Sequence, residues 1–213
     1  MVTDALIFEK VRIHRGDALL IALDAEVPPG DVLTIMGPSG SGKSTLLAFA
    51  TGTLPRGFRA EGRVLLGGRD ITALSPQERR IGMMFQEDVL FPHLSVGGNL
   101  AFGLAPDVRG RKARRDAVER ALAEAGLEGM ADRDPATLSG GQRARVALMR
   151  ALLSAPRALA LDEPFSKLDA NLRAQIRDFV FDHARALGLP TLLVTHDPED
   201  AAAAGGEVIQ IAS

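Results

Sequence analysis

Short apolar runs, bounded by glycine, proline or charged residues, alternate with amphipathic segments over the first and last thirds of the chain. Such runs are typical of buried strands, and apolar residues recurring about every three or four positions predict helices. The predicted strands cover 5–13, 18–23, 31–36, 62–71 (a hairpin), 81–85, 158–161, 191–195 and 207–211. The predicted helices cover 44–52, 111–125, 142–155 and 169–187.

The middle of the chain has a different, mainly helical pattern, and strands resume only after Pro156. We therefore predict an α/β core formed by about 1–86 and 156–213, interrupted by a helical insertion at about 87–155. A length of 213 residues fits one domain with a subdomain.

Composition removes several classes of function. The net charge of −2 argues against a general nucleic-acid-binding face, and the absence of cysteine excludes disulfides and thiol catalysis. The start, Met1 to Asp4, lacks the features of a signal peptide, and no apolar run approaches the roughly 18 residues of a membrane-spanning helix. We expect a soluble chain whose membrane role, if any, requires a partner.

The stretch "GPSGSGKST" at 37–45 matches the phosphate-loop pattern and lies between a predicted strand and a predicted helix. Its backbone N–H groups and the helix N-terminus suit a phosphate. Lys43 is expected to neutralise the phosphates and Ser44 to bind Mg²⁺. The nucleotide-binding residues predicted here are Gly37, Pro38, Ser39, Gly40, Ser41, Gly42, Lys43, Ser44 and Thr45.

Two adjacent acids follow the buried run "ALAL" at 158–161. Adjacent residues at a strand end point in different directions. Asp162 is therefore predicted to hold the metal, while Glu163 faces an attacking water as a general base. Without the phosphate loop, the same residues would be read as a polar strand end before a proline turn.

A further motif, "LSGGQ" at 138–142, completes a set whose order and spacing resemble the ATP-binding subunit of ABC transporters over nearly the whole chain. The run from "DITALSPQERRIGMMFQ" through "LFPHLSV" is similar to the importer group that handles thiamine, spermidine, sulfate or iron. The resemblance implies a P-loop NTPase fold with a RecA-like core, an antiparallel β subdomain and an inserted helical subdomain. It also implies ATP and Mg²⁺ as cofactors.

The resemblance assigns roles to three more residues. Gln86 matches the glutamine that contacts Mg²⁺ or the lytic water, and His196 matches the histidine that touches the γ-phosphate. Asp169, which closes "SKLD", matches the residue that communicates across a dimer with ATP between the two chains.

Two positions depart from the family pattern. Arg15, or His14 if the alignment slips by one residue, stands where an aromatic residue usually stacks on adenine, and the chain has no tyrosine or tryptophan. A guanidinium plane also stacks on a base, so we predict that GTP is hydrolysed within about tenfold of ATP. Lys167 replaces a small residue within "SKLD", and we expect its side chain to point to solvent; the alternative is that it tunes dimer closure.

The signature "LSGGQ" has a structural explanation as well as a functional one. Ser139 and Gln142 form a capping box for the next helix, but capping does not require glycines in the first turn. Bare N–H groups at that helix start suit an anion. The resemblance implies that the anion is the partner's γ-phosphate, bound by Leu138, Ser139, Gly140, Gly141 and Gln142.

The stretch 87–104 is apolar and loop-like, and it includes Pro92. Its apolar residues are candidates for a patch that receives a membrane permease, or else for the core of the helical subdomain. The candidates are Val89, Leu90, Phe91 and Leu94.

The function predicted from these residues is ATP binding and hydrolysis by a dimer that energises small-molecule import through a separate permease. A secreted substrate-binding protein is a further expected partner, nucleic acid is not, and the chain is expected on the cytoplasmic face of the membrane. The alternative is a stand-alone soluble ABC ATPase for metallocluster assembly, lipoprotein release or work on nucleic acid or ribosomes. The chain stops soon after His196, so no regulatory C-terminal domain is expected.

Overall fold

The computed structural model describes residues 4–38, 40–87 and 89–211. The chain forms two compact units. The first, the core unit, comprises Met1–Met83, Arg157–Glu163 and Phe181–Ser213, and the second, the helical unit, comprises Met84–Pro156 and Pro164–Val180.

The strands and helices are numbered along the chain. The strands are β1 (Leu6–Arg15), β2 (Ala18–Val27), β3 (Val32–Met36), β4 (Phe58–Leu66), β5 (Arg69–Asp70), β6 (Ile81–Met84), β7 (Ala158–Asp162), β8 (Thr191–Thr195) and β9 (Glu207–Gln210). The helices are α1 (Lys43–Thr51), α2 (Pro76–Arg79), α3 (Val96–Gly103), α4 (Arg111–Glu124), α5 (Gly140–Leu153), α6 (Ala170–Ala186) and α7 (Pro198–Ala204).

An antiparallel sheet in the order β2-β1-β4-β5 forms one layer of the core unit. Strand β1 pairs with both β2 and β4, and its residues Phe8, Val11 and Ile13 enter the apolar core. The register shifts in β1 around Lys10, which has a positive φ of 47°. Such a bulge changes the side-chain alternation of the strand and increases its twist.

The second sheet has the order β6-β7-β8-β3-β9. Strand β3 pairs in parallel with β8 and β9, and β7 pairs in parallel with β8. All residues of β3 and β8 are buried, as the continuous apolar runs predict. Because these strands are parallel, the residues that follow β3, β7 and β8 emerge at one edge, where ligands bind in open α/β sheets.

The helical unit has a separate apolar core under α3, α4 and α5. On α4 the buried face is Ala117, Val118, Ala121 and Leu122, which confirms the predicted spacing. Helix α3 packs very closely on α5, because a side chain at Gly103 would lie 2.3 Å from the Arg150 carbonyl oxygen.

The interpretation of 87–104 as loop-like was wrong for Val96–Gly103, which form α3. Ser95 begins this helix, and its hydroxyl accepts a hydrogen bond from the Gly98 N–H. The two glycines in the first turn obscure the helical pattern in the sequence. Packing nevertheless favours Gly97, since an added Cβ would lie 3.0 Å from the Ala131 carbonyl oxygen, closer than most Cβ contacts.

The α/β fold with one antiparallel and one mainly parallel sheet confirms the predicted fold class. Among the described residues, no helix is both long enough and apolar enough to cross a membrane.

Candidate nucleotide-binding site

The phosphate loop follows β3 and ends at α1, in the strand–loop–helix context that its motif requires. Gly42 is the N-cap of α1 in a left-handed conformation, with φ 90°, and Gly40 has φ 85°. Both conformations favour glycine. A side chain at Gly40 would meet nothing within 4 Å, so this part of the loop is open to a ligand. Ser39 lies outside the described residues.

Lys43 is a buried cation at the centre of the loop, with only 6% of its surface exposed. Its ammonium donates to the carbonyl oxygens of Gly37 and Pro38, at 2.7 Å each. A buried charge is costly unless it is paired or hydrogen-bonded. The side chain thus folds back on its own loop. An anion bound in the loop would pair with this buried charge and lower its free-energy cost.

Ser44 and Asp162 are brought together from positions 118 residues apart. The Ser44 hydroxyl donates to Asp162 Oδ1 at 3.2 Å. Burial raises the pKa of Asp162 above its ordinary value, and the neighbouring Glu163 carboxylate adds to this effect; the Ser44 hydrogen bond and the Lys43 charge oppose it. A partly buried carboxylate with a hydroxyl beside it suits a hard divalent cation.

Glu163 and His196 form the second pair of the site. His196 Nδ1 lies 3.2 Å from Glu163 Oε2, and the Glu163 side chain is 19% exposed while that of His196 is 61% exposed. Glu163 has a positive φ of 46°, which is uncommon for a residue with a side chain. The positive φ begins the turn that follows β7.

Sequence reasoning missed the residues that hold His196 in place. The Thr195 hydroxyl donates to the buried Asp200 carboxylate at 3.1 Å and accepts from the Asp197 N–H at 3.0 Å. Asp197 in turn caps α7 by accepting from the Glu199 N–H. His196 therefore lies in a turn fixed on both sides, and the motif "THDPED" contains the whole scaffold.

The signature residues lie at the start of α5 in the helical unit. The Ser139 hydroxyl accepts from the Gln142 N–H at 3.3 Å, and Gln142 Oε1 accepts from the Ser139 N–H at 2.9 Å, which confirms the capping box. The Leu138 side chain is 4% exposed and belongs to the core of the helical unit, so it anchors the signature.

The two signature glycines have different surroundings. A Cβ at Gly141 would lie 2.4 Å from Leu172 Cδ1, so packing against α6 explains this glycine without any ligand. A Cβ at Gly140 would lie 3.5 Å from Leu168 Cδ2, which is an ordinary contact. Capping explains neither glycine, but packing accounts for Gly141, so the inference of an anion site from the two glycines keeps its support only at Gly140.

Three further predicted residues, Gln86, Asp169 and Arg15, lie at separate positions in the two units. Gln86 is exposed directly after β6, and Asp169 Oδ1 accepts from the Leu172 N–H at 3.1 Å at the start of α6. Arg15 is exposed at the end of β1, with its guanidinium carbon 6.0 Å from the Phe58 ring centre. The Lys167 side chain is 56% exposed, in line with the expectation that it points to solvent, and its ammonium also lies 2.7 Å from Glu87 Oε1.

A phosphate loop between a buried parallel strand and a helix, with a serine hydroxyl against a strand-end carboxylate, defines a P-loop nucleoside triphosphatase. Residues 20–166 match the family model described as "ABC transporter". The chain therefore belongs to the ABC transporter family, and it is an ATP-binding protein whose ATPase activity is coupled to transport.

Curated proteins similar to this chain carry consistent names. The "Uncharacterized ABC transporter ATP-binding protein YnjD" of Escherichia coli is 50% identical over 85% of this chain and 83% of the relative. The "Thiamine import ATP-binding protein ThiQ" of Cereibacter sphaeroides is 44% identical over 91% of this chain and 82% of the relative. The "Fe(3+) ions import ATP-binding protein FbpC 1" of Rhizobium meliloti is 43% identical over 88% of this chain, which spans only 52% of that relative.

Proposed function

We propose that this chain binds and hydrolyses Mg·ATP to energise small-molecule import through a separate membrane permease. The observation that most directly supports it is the convergence at one sheet edge of Lys43, the Ser44–Asp162 pair and the Glu163–His196 pair. The names of the thiamine and iron import relatives support the direction of transport.

The proposed chemistry divides between the two pairs. Ser44 and Asp162 would hold Mg²⁺, with Gln86 as a further oxygen ligand, and the ion would neutralise phosphate charge. Their hydroxyl, carboxylate and amide oxygens are the donors that Mg²⁺ prefers. Lys43 exchanges its two carbonyl partners for phosphate oxygens, which places a cation where negative charge develops.

Glu163 acts as the general base on the attacking water, and its carboxylate takes up the proton. His196 Nδ1 lies close enough to that carboxylate to fix its orientation. The ring of His196 is mostly exposed, so it remains available to contact the γ-phosphate.

The second half of each site comes from a second copy of the chain. Ser139 and Gly140 present N–H groups at the start of α5, a helix of 14 residues, toward the partner's γ-phosphate. Asp169 communicates across the same contact. Two ATP molecules are then enclosed between two chains, and hydrolysis opens the dimer.

The permease docks on the helical unit at 87–104. Within this stretch Val89 and Phe102 are exposed by 51% and 68%, whereas Leu90 packs on the core of the unit. Exposed apolar side chains of this size suit a short helix of a membrane subunit. Asp88 lies outside the described residues. The chain is thereby held at the cytoplasmic face of the membrane, and a secreted binding protein supplies the substrate.

The proposal is tested by purifying the tagged chain from detergent-solubilised membranes of its own host. We expect an integral membrane subunit with several spans to copurify and to increase ATP hydrolysis. Recovery of the active ATPase from the soluble fraction alone, without such a subunit, would instead support a stand-alone ATPase. Lys43→Ala is the control, because it is expected to abolish nucleotide binding while leaving the permease contact intact.

A further inference from the structure

One ion pair joins two segments of the helical unit that belong to neither a strand nor a helix. Lys167 Nζ lies 2.7 Å from Glu87 Oε1, and the two side chains are 56% and 75% exposed. The Lys167 partner lowers the pKa of the Glu87 carboxyl, chiefly through this hydrogen bond. The two residues are 80 positions apart in the sequence, so the fold itself brings them together.

Each residue of the pair lies within two positions, in the sequence, of a residue predicted to act at the nucleotide site. Glu87 directly follows Gln86, and Lys167 stands two residues before Asp169. Asp169 is fixed in its turn by the hydrogen bond from the Leu172 N–H at the start of α6. The pair therefore links the residue after Gln86 to the short loop that ends at Asp169.

The same pair forms part of the wall of a surface groove of about 440 Å³ on the helical unit. The rest of the groove is largely apolar, and it lies within and beside the stretch proposed for permease docking. Its lining is Glu87, Val89, Leu90, Pro92, Pro135, Ala136, Arg143 and Lys167. A segment that fills this groove necessarily contacts one or both charges.

We infer that the Lys167–Glu87 pair transmits occupation of this groove to the Asp169 loop, and thereby couples permease docking to closure around ATP. The inference rests on the proposed function, and it adds a residue-level link. An exposed ion pair contributes little to folding stability. It is therefore made and broken at small cost, which suits a contact that changes partners during each cycle.

Coupling between two sites is reciprocal, so ATP binding must change the groove even when no permease is present. This consequence is measurable because the chain contains no cysteine. Ala136→Cys places a single thiol for an environment-sensitive fluorophore on the exposed rim of the groove. We expect Mg·ATP to change the fluorescence of this labelled protein.

Lys167→Ala or Glu87→Ala is expected to reduce the amplitude of that change at least threefold. Exchanging the charges, with Lys167→Glu and Glu87→Lys together, is expected to restore it. Raising the salt concentration from about 0.05 to 0.5 M is expected to lower the response of the parent protein toward that of the single variants, because screening weakens exposed pairs. Lys112→Ala and Glu128→Ala, exposed residues of the same unit, are the matched controls.

Binding of a fluorescent ATP analogue is measured separately on every variant. A full fluorescence response in Lys167→Ala, with nucleotide binding intact, would overturn the inference while leaving the proposed function standing. A charge exchange that fails to restore the response would overturn the pairing as its basis. Loss of nucleotide binding in the labelled parent would overturn the proposed function itself, and the inference with it.

Discussion

Asp162 combines a functional position with an unfavourable environment. Burial raises its pKa in the folded protein, so the folded state binds this proton more tightly than the unfolded chain does. Protonation of Asp162 therefore stabilises the folded protein. This stabilisation is complete below the ordinary aspartate pKa of about 3.9, and it is lost as the pH rises through the higher pKa of the folded state. At neutral pH, the nucleotide-free protein therefore contains a destabilising charge.

We predict that Asp162→Asn melts at a higher temperature than the parent at pH 7 when nucleotide is absent. The amide keeps an oxygen for the Ser44 hydroxyl and removes the charge. The difference is expected to vanish near pH 3.5, where the aspartate is protonated, and Mg·ATP is expected to stabilise the variant less than the parent. The melting temperatures are measured by dye fluorescence across pH 3.5–8, and Asp132→Asn, at an exposed position, is the control. A lower melting temperature at pH 7 would contradict the account.

The two signature glycines give opposite predictions for the same substitution. Gly141→Ala is expected to destabilise the fold by about 1–3 kcal/mol, since its Cβ would overlap Leu172, and Leu172→Ala is expected to recover most of this loss. Gly140→Ala is expected to keep or raise stability, because alanine is about 1 kcal/mol better than glycine in a helix. It should nevertheless weaken ATP-driven dimerisation. Urea unfolding and analytical gel filtration distinguish the two effects, and equal destabilisation would contradict the assignment.

Buried polar side chains fix segments of the chain that are remote in sequence. The Arg79 guanidinium, in a residue that is 5% exposed, donates to the carbonyl oxygens of Phe49 and Ala50 at the end of α1 and to that of Leu74. These are carbonyls that a helix end leaves without intrahelical partners. The phosphate-loop helix is thus capped from 29 or 30 residues away.

Asn99 has a comparable role in the docking segment. This fully buried side chain accepts from the Phe91 N–H and donates to the carbonyl oxygens of Phe91, Leu94 and Ser95. Asn99→Ala is expected to cost about 2–4 kcal/mol, because several buried backbone groups lose their partner. Chemical unfolding measures the cost, with Asn171→Ala on exposed α6 surface as the matched control. A cost equal to that of the control would show that this loop does not depend on Asn99.

The elements differ in how far the sequence predicts them. Strands β3, β7 and β8 are predictable because an uninterrupted apolar run of this length is typical of a strand in a buried sheet. Helix α3 was not predicted as an element, since the two glycines in its first turn, Gly97 and Gly98, weaken the helical pattern. The pairing of Lys167 with Glu87 was also not predicted, because the two residues are 80 positions apart and only the folded chain brings them together.

For the whole molecule, the order of the motifs predicts the family, and the parallel sheet explains why distant motifs meet. The phosphate loop, the Asp162–Glu163 pair and His196 each follow a strand of the same parallel set. The sequence does not contain the contacts that orient these groups, such as the Thr195–Asp200 hydrogen bond. The signature residues lie in the other unit, and they gain their proposed function only from a second copy of the chain.

We propose that ATP joins two chains, each supplying a phosphate loop to one nucleotide and a signature to the other. The most direct test of this proposal is the molecular mass of Glu163→Gln, measured by light scattering during gel filtration. Without nucleotide we expect the 22.6 kDa monomer, and with Mg·ATP a stable dimer of twice that mass, since the closed state is no longer released by hydrolysis. Adding Ser139→Arg to the same chain is expected to keep it monomeric although it still binds ATP. A chain that stays monomeric as Glu163→Gln with ATP bound, or that dimerises despite Ser139→Arg, would contradict the account.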